Sequence, residues 1–209
     1  MKPLLQPIAD YYAEKVATHG PTPQGADWKS AESQSLRFSV LVRMLAGAPG
    51  TPSLDDYGCG YGALLDHLRS TRQAVDYLGL DASSRMVEEA RRCHPGDEAL
   101  FVEQTRSPRV SRFAVASGIF NVRLGNPESA WEGHILETLD AMHELSVEGF
   151  AFNCLSTYSD PPLRKEYLYY GDPCHYFDLC KRRYAAQVSL LHDYGLYEFT
   201  LIVRKSPAP

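Results

Sequence analysis

Short apolar runs alternate with amphipathic stretches through the middle of the chain. Apolar runs at residues 54–57, 75–80, 100–103, 113–117 and 149–154 predict β-strands. Between them, residues 63–70, 84–93 and 128–144 have the spacing of helices with one apolar face. This alternation favours right-handed crossovers, and it therefore predicts an α/β fold in which a mostly parallel sheet carries helices on both faces.

The two ends of the chain have other patterns. Residues 8–19 and 33–46 predict two amphipathic helices, the second with Ser33 as its N-cap, and the Gly- and Pro-rich residues 47–52 separate these helices from the rest of the chain. We therefore expect a single domain over residues 1–209, with a helical cap over 1–50 and a core over 51–209. Near the C-terminus, residues 188–192 and 197–203 flank a turn at Asp193-Tyr194-Gly195, which indicates a hairpin and an antiparallel last strand.

Composition narrows the class of protein. The 209 residues carry a formal net charge of −5, which argues against nucleic acid as the main partner. The five cysteines are an odd number without a Cys-x-x-Cys pair, so reduced thiols in the cytoplasm are the expected state and no metal site is expected. There is no long apolar run or secretory signal, so no membrane partner is expected.

The junction between the first predicted strand and its helix carries the clearest candidate chemistry. It reads Asp56-Tyr-Gly58-Cys59-Gly60-Tyr-Gly62, with glycines at alternate positions. Such glycines let a ligand approach backbone N–H groups at a helix N-terminus. At the end of the next predicted strand, Asp81 can accept hydrogen bonds from a ribose diol.

Two classes of cofactor suit this junction. Residues 58–63 formally satisfy the G-x-G-x-x-G/A pattern of dinucleotide-binding oxidoreductases. Against an NAD(P)-dependent oxidoreductase, Asp56 would direct a negative charge at the pyrophosphate, and the chain has no second domain for a substrate. A carboxylate at Asp56 suits a cationic amino group better.

These residues resemble a known family. Asp56-Tyr-Gly-Cys-Gly-Tyr-Gly62 is similar to motif I, (D/E)-x-G-x-G-x-G, of the class I S-adenosylmethionine-dependent methyltransferases, and the segment Tyr77-Leu-Gly-Leu-Asp81 resembles the strand that comes after it in that family. The resemblance covers residues 53–205. It implies a Rossmann-like seven-stranded sheet whose last strand enters as an antiparallel hairpin, here with an N-terminal cap of the kind found in small-molecule enzymes.

The resemblance also implies a map of the cofactor, S-adenosyl-L-methionine, and of its product S-adenosyl-L-homocysteine. Asp56 would hold the methionyl ammonium and Asp81 the ribose hydroxyls. Independently of the resemblance, the Arg37 guanidinium could pair with the methionyl carboxylate, which it fits bidentately, or with a nearby acid. The residues that would lie against the methionine, ribose and adenine are Gly58, Cys59, Gly60, Ala82 and Met86, with Ser117 and Gly118 facing the methyl group. Glu103 or Gln104 would accept a hydrogen bond from the adenine amino group, and both residues stay candidates.

We expect the residues that bind the methyl acceptor to lie on loops at the carboxyl ends of the strands. Phe120 and Asn121 come after the fourth strand, Tyr158 after the fifth, and the tyrosine-rich residues 167–177 form a further loop that contributes Tyr169 and Tyr176. Trp28, in the loop between the two cap helices, is a candidate either for a lid over the substrate or for an anchor in the core. The candidate catalytic residues are His175 and Tyr170.

The expected activity is methyl transfer to O or N of a small molecule, by a monomer or homodimer. One alternative is an RNA or protein methyltransferase, which would need a basic face made of Arg69, Arg72, Arg91, Arg92, Arg106, Arg109 and Arg112. Another is a cofactor-binding subunit without catalytic activity.

Overall fold

A computed structural model describes residues 3–205 and contains one seven-stranded mixed sheet, which confirms the predicted fold class. The strands are β1 Ser53–Tyr57, β2 Asp76–Asp81, β3 Phe101–Glu103, β4 Ser111–Ala116, β5 Ser146–Leu155, β6 Gln187–Leu191 and β7 Glu198–Arg204. The helices are α1 Gln6–His19, α2 Ala31–Leu41, α3 Ala63–Ser70, α4 Ser84–Cys93, α5 Glu128–Leu145 and α6 Pro173–Arg183. In the part of the chain that is described, no helix has the length and apolar character needed to cross a membrane.

The strand order is β3-β2-β1-β4-β5-β7-β6. The first five strands pair in parallel, whereas β7 pairs antiparallel with both β5 and β6, as the predicted hairpin requires. The chain runs from β1 outward to β2 and β3, and then returns to place β4 on the other side of β1. This reversal opens a crevice at the carboxyl ends of β1 and β4, which is where open α/β sheets bind ligands.

Alternation along the strands builds an apolar layer on each face of the sheet. One layer contains Leu54, Tyr77 and Phe101 together with Leu64 and Leu68 of α3. The other contains the strand residues Tyr57, Leu80, Phe150 and Phe152 and residues of α5 spaced along one face, Trp131, Ile135, Leu139 and Met142. Both apolar layers pack against the strands whose carboxyl ends form the crevice.

Two local predictions were wrong. The second cap helix begins at Ala31, because Ser30 rather than Ser33 is its N-cap: the Ser30 hydroxyl oxygen accepts a hydrogen bond from the Ser33 amide at 3.2 Å. Residues 167–177 are not all loop, because α6 begins at Pro173. Asp172 caps α6 by accepting from the amides of Cys174 and His175.

The connection from β3 to β4 is short. Residues 104–110 form no helix and pass across the sheet beside β1. Within this connection, Ser107 donates to the Asp55 carboxylate at 2.6 Å, and Arg109 donates to it at 2.8 Å. Asp55 is completely buried, so these two contacts fasten the connection to the middle of the sheet.

Candidate functional site

A cavity lies above the carboxyl ends of β1, β2 and β4. It holds about 1050 Å³ of free space, counting the part open to solvent. The strand ends and the loops after them form its floor, and α1, α2 and the loop between them form the opposite wall. The predicted cap therefore lies over the crevice at the switch in strand order.

Two glycines shape the turn after β1. Gly58 has a φ of +75°, and a Cβ atom placed there would lie 2.1 Å from Cγ2 of Ile119, so this position accepts no side chain. Gly60 has a φ of +54° and borders open space, since a Cβ there would meet no atom within 4 Å. The backbone at Gly60 is therefore accessible from the cavity.

The Asp81 carboxylate is oriented by backbone amides at the end of β2. Oδ2 accepts from the Gly60 N–H at 2.9 Å, and Oδ1 accepts from the Ser83 N–H at 2.8 Å. Burial raises the pKa of Asp81, and these two hydrogen bonds oppose that rise. The Ala82 amide also contributes a hydrogen bond that lowers the pKa of this carboxyl. The two carboxylate oxygens together have about four lone-pair sites, so the group can still accept a hydrogen bond from a ligand.

Asp56, at the end of β1, is 2% exposed and lines the same cavity. Burial raises the pKa of its carboxyl to about 7, although the hydrogen bond that it accepts from the Tyr77 hydroxyl at 2.7 Å opposes the rise. The charges of Asp81 and Asp55 raise it further. A cation in the cavity would stabilise the ionised form of Asp56.

The structure brings together ten of the eleven residues predicted to contact a cofactor. They line the cavity on both sides of the turn after β1: Asp56, Gly58, Cys59, Gly60, Asp81, Ala82, Met86, Gln104, Ser117 and Gly118. Of the two open candidates for the adenine amino group, Gln104 lines this cavity and Glu103 does not. The proximity of these residues is a consequence of parallel pairing, because the carboxyl ends of β1, β2, β3 and β4 meet at one edge.

Arg37 is the exception, because its side chain is directed away from the cavity. Its Nε donates to Oε2 of Glu198 at 2.6 Å, and one terminal nitrogen donates to the Ser33 carbonyl at 2.7 Å. The Glu198 carboxylate that pairs with this guanidinium is buried. A role for Arg37 in holding the methionyl carboxylate receives no support from this position.

The residues predicted to bind the acceptor are scattered. Trp28 lines the cavity, whereas Phe120 and Asn121 point into the protein: Phe120 is fully buried, and the Asn121 amide bonds Glu198 at 3.1 Å and the Leu155 amide at 2.9 Å. Tyr169 and Tyr176 are buried in the core beside α5 and α6, with their hydroxyls 2.9 Å apart. Both tyrosines lie outside the wall of this cavity and pack in the core.

The two candidate catalytic residues and Tyr158 also lie outside the cavity wall. His175 is exposed on the first turn of α6, where its ring lies 5.3 Å from that of Tyr176. The Tyr170 hydroxyl accepts from the Lys165 amide at 2.9 Å. Tyr158 is 67% exposed and its ring lies 5.9 Å from that of His192. Proximity to strand ends in the sequence therefore does not by itself place a side chain at the cavity, because side chains near those ends also pack inward or face solvent.

Sequence reasoning missed the cap residues that line the cavity. In and just before α1, Leu5, Ile8, Ala9 and Tyr12 have the i, i+3, i+4, i+7 spacing of one helix face, and this spacing was the available signal. Gln34 of α2 also lines the cavity, and its side-chain oxygen accepts from the Tyr61 hydroxyl at 3.0 Å. His134, on α5, is an imidazole in the wall. Among residues 3–205, no group of three or more His, Cys, Asp or Glu side chains is arranged to hold a metal ion.

Comparison with known sequences identifies a relative. No protein-family model matches the chain. A protein of Mycobacterium tuberculosis named "Putative methyltransferase Rv1506c" is 52% identical over 155 residues, which are 74% of this chain and 93% of the relative. The match therefore spans almost the whole relative.

Solved structures share the fold at low sequence identity. The chain is similar to the magnesium protoporphyrin IX methyltransferase of Synechocystis PCC 6803 with bound SAM, with a TM-score of 0.58 and 15% identity over 84% of this chain and 80% of that one. It is similar to DhpI in complex with SAH, with a TM-score of 0.65 and 14% identity over all of both chains. It is also similar to the plantazolicin methyltransferase BpumL, with a TM-score of 0.63 and 11% identity over 99% of this chain and 100% of that one. With the relative, the shared fold and the motif at the end of β1, the chain belongs to the class I S-adenosylmethionine-dependent methyltransferases.

Proposed function

We propose that the cavity binds S-adenosylmethionine and that the enzyme transfers its methyl group to an oxygen or nitrogen atom of a small molecule. The observation that carries this proposal is the Asp81 carboxylate, fixed by two backbone amides at the wall of the cavity, together with Asp56 in the same wall. Structurally similar enzymes have been crystallised with SAM or SAH, and this supports the same cofactor here.

The residues present fit this cofactor. The open space at Gly60 lets a ligand lie against the backbone between the two carboxylates. Asp81 would accept the ribose hydroxyls, and Asp56 would pair with the methionyl ammonium. The apolar side chain of Met86 and the neighbouring Ala82 would border the adenine, with Gln104 as the hydrogen-bonding partner of its amino group.

The methyl group of S-adenosylmethionine is already activated by the sulfonium to which it is bonded. The chain therefore has to orient the acceptor and keep water out, and it needs no metal or covalent nucleophile for the transfer. Helices α1 and α2 cover the cavity and present mostly apolar side chains to it, which suits both tasks. A group that removes a proton is needed only for an acceptor of high pKa.

The ion pairs made by the arginines favour a small-molecule acceptor over RNA. Of the seven that a basic face would require, five are ion-paired with carboxylates: Arg69, Arg92, Arg106, Arg109 and Arg112. Arg91 donates to the Phe101 carbonyl. Paired arginines offer little net charge to phosphates, whose binding depends on neutralising several of them. The names of two similar structures, which refer to magnesium protoporphyrin IX and plantazolicin, also support a small-molecule acceptor.

The proposal is tested by removing Asp81 and measuring the binding of S-adenosylhomocysteine by calorimetry. Asp81→Ala removes the acceptor for the ribose hydroxyls, so we expect affinity to fall at least about tenfold, the loss of about one charge-assisted hydrogen bond or more. The matched control is Asp178→Ala, since Asp178 is an exposed carboxylate paired with Arg182 on α6, away from the cavity. Unchanged affinity in Asp81→Ala, or an equal loss in both variants, would remove Asp81 from the site.

A further inference from the structure

Trp28 is held on one side by a buried ion pair. The Arg37 guanidinium lies 4.3 Å from the centre of the indole ring, and Arg37 is paired through Nε with Glu198, whose side chain is 1% exposed. Oε1 of the same carboxylate accepts from the Asn121 amide at 3.1 Å. The position of the indole thus depends on residues of α2, of β7 and of the loop after β4.

The other end of the indole reaches the backbone at the end of β4. A Cβ placed on Gly118 would lie 2.3 Å from Cη2 of Trp28, so the ring edge fits against this glycine only because it has no side chain. The Gly118 amide donates to the Asn153 side chain at 2.7 Å, which fixes the backbone on which the ring rests. The indole lies in the cavity wall beside Gly118, which the resemblance places facing the transferring methyl group.

The charges around the cavity limit what can lie beside this ring. Of the residues that the structure describes, no lysine or arginine lines the cavity, and its carboxylates, Asp56 and Asp81, are the two assigned to the cofactor. A charged acceptor would lose its hydration without gaining an ion pair, which is costly in a cavity of this kind. The part of the wall formed by α1 is apolar except for Tyr12, whose pKa is raised by burial, so that its hydroxyl stays protonated and can donate one hydrogen bond. Helix α5 adds two polar side chains to the wall, His134 and Thr138.

We propose that Trp28 is the stacking surface of the acceptor subsite, that Glu198 is its positioning residue acting through Arg37, and that the acceptor is an uncharged molecule with a planar apolar body. This inference rests on the proposed function, since it takes the cofactor to occupy the end of the cavity that holds Asp56 and Asp81. Aromatic stacking favours flat rings, and it requires an indole whose orientation is fixed before the acceptor arrives.

The test uses three matched probes with the complete chain saturated with S-adenosylhomocysteine. They are 2-naphthamide, which is neutral, 2-naphthoate, an anion, and 2-naphthylmethylamine, a cation at neutral pH. The protein has two tryptophans, so ¹⁵N-labelled indole groups give two N–H signals by NMR. Trp131 is the internal control, because it is fully buried and its indole N–H donates to the Phe120 carbonyl at 2.8 Å.

We expect 2-naphthamide to shift the Trp28 signal and leave the Trp131 signal in place. The two charged probes should bind at least about tenfold more weakly, and Trp28→Ala should weaken 2-naphthamide binding by about the same factor. Failure of 2-naphthamide to shift the Trp28 signal at low millimolar concentration overturns the proposal. Equal binding of the three probes, or unchanged affinity in Trp28→Ala, also overturns it.

The role of Glu198 has its own readout. Glu198→Ala should move the Trp28 signal in the absence of any probe and weaken 2-naphthamide about tenfold, while the affinity for S-adenosylhomocysteine is retained. Glu198→Gln keeps an oxygen that can accept from Arg37, so it should restore the Trp28 signal toward its original position. An unmoved Trp28 signal in Glu198→Ala contradicts the positioning role. If Glu198→Ala fails to fold, Arg37→Met decides, because it removes the guanidinium that contacts the indole ring: the positioning role predicts a moved Trp28 signal and reduced probe affinity, and an unmoved signal with full affinity contradicts it.

The outcomes separate this inference from the proposed function. Absence of S-adenosylhomocysteine binding would overturn the proposed function itself. Binding of S-adenosylhomocysteine without any perturbation of Trp28 by 2-naphthamide would leave the proposed function standing and overturn only the account of the acceptor.

Discussion

Burial raises the pKa of the Asp56 carboxyl to about 7, against the opposing hydrogen bond from Tyr77, so both protonation states are populated near neutral pH. A buried carboxyl without a cation is costly in its charged form. The residue is therefore suited to pairing with a cationic ligand. The ionised Asp56 carboxyl is costly to the free protein but favours the binding of a cation, and each effect gives one prediction.

The first concerns the pH dependence of binding. The pKa of Asp56 is about 7, so a ligand ammonium finds a carboxylate above this pH and a neutral carboxyl below it. The dissociation constant of S-adenosylhomocysteine should rise up to about tenfold for each pH unit below the pKa, and level off above it. Calorimetry across this range measures the effect. Asp56→Asn should bind weakly at every pH, and a variant that kept the full pH dependence would assign it to another group.

The second concerns stability. The pKa of Asp56 lies above its ordinary value of 3.8, so the folded state binds the proton more tightly than the unfolded state. The resulting stabilisation is complete at low pH and is lost as the pH rises through about 7. Asp56→Asn cannot ionise, so without ligand it should be more stable than the original protein by about 1–3 kcal/mol at about pH 8.5. The difference should shrink at about pH 5.5. Thermal unfolding at both pH values measures it, and a stability gain that did not depend on pH would have another origin.

At the scale of elements, the connection between β3 and β4 replaces a crossover helix with a short segment tied to Asp55. Removal of the guanidinium in Arg109→Ala would leave this buried carboxylate with Ser107 as its remaining side-chain partner. Loss of one partner of a buried pair is strongly destabilising, so we expect a cost of about 2–4 kcal/mol in the free energy of unfolding.

Chemical denaturation measures this cost. The double variant Asp55→Asn/Arg109→Ala should recover part of the stability, because it removes the unpaired charge as well. The matched control is Arg182→Ala, which breaks an exposed i,i+4 pair with Asp178 and should cost less than about 0.5 kcal/mol. An equal cost in Arg109→Ala and Arg182→Ala would mean that the contact between Arg109 and Asp55 does not stabilise the fold.

The elements also differ in how far the sequence predicted them. The strands and the helices between them have strong periodic patterns, and their type was predicted throughout the parallel part of the sheet. The start of α6 was missed because the tyrosines before it suggested a binding loop, although Asp172-Pro173 is a clear N-cap signal. The helix α2 was extended too far because its last turn continues as a 3₁₀ turn over Val42–Leu45.

At the scale of the whole molecule, the half of the cavity proposed to hold the cofactor was more predictable than the half proposed to hold the acceptor. The motif residues Gly58, Gly60 and Asp81 meet because parallel strands end at one edge, which is a property of the topology. The acceptor half depends on how the cap packs across the sheet. That packing decides that Trp28 and Tyr12 face the cavity while Arg37 pairs with Glu198, and no local pattern in the sequence contains this information.

The central claim is that the cavity between the sheet and its cap binds S-adenosylmethionine through Asp56 and Asp81. Its most direct test is a calorimetric titration of the unmodified chain with S-adenosylhomocysteine at about pH 8, above the pKa of Asp56. We predict one molecule bound per chain with a dissociation constant of about 100 μM or tighter, which corresponds to about 5.5 kcal/mol. The absence of measurable binding at high micromolar concentration would contradict the account.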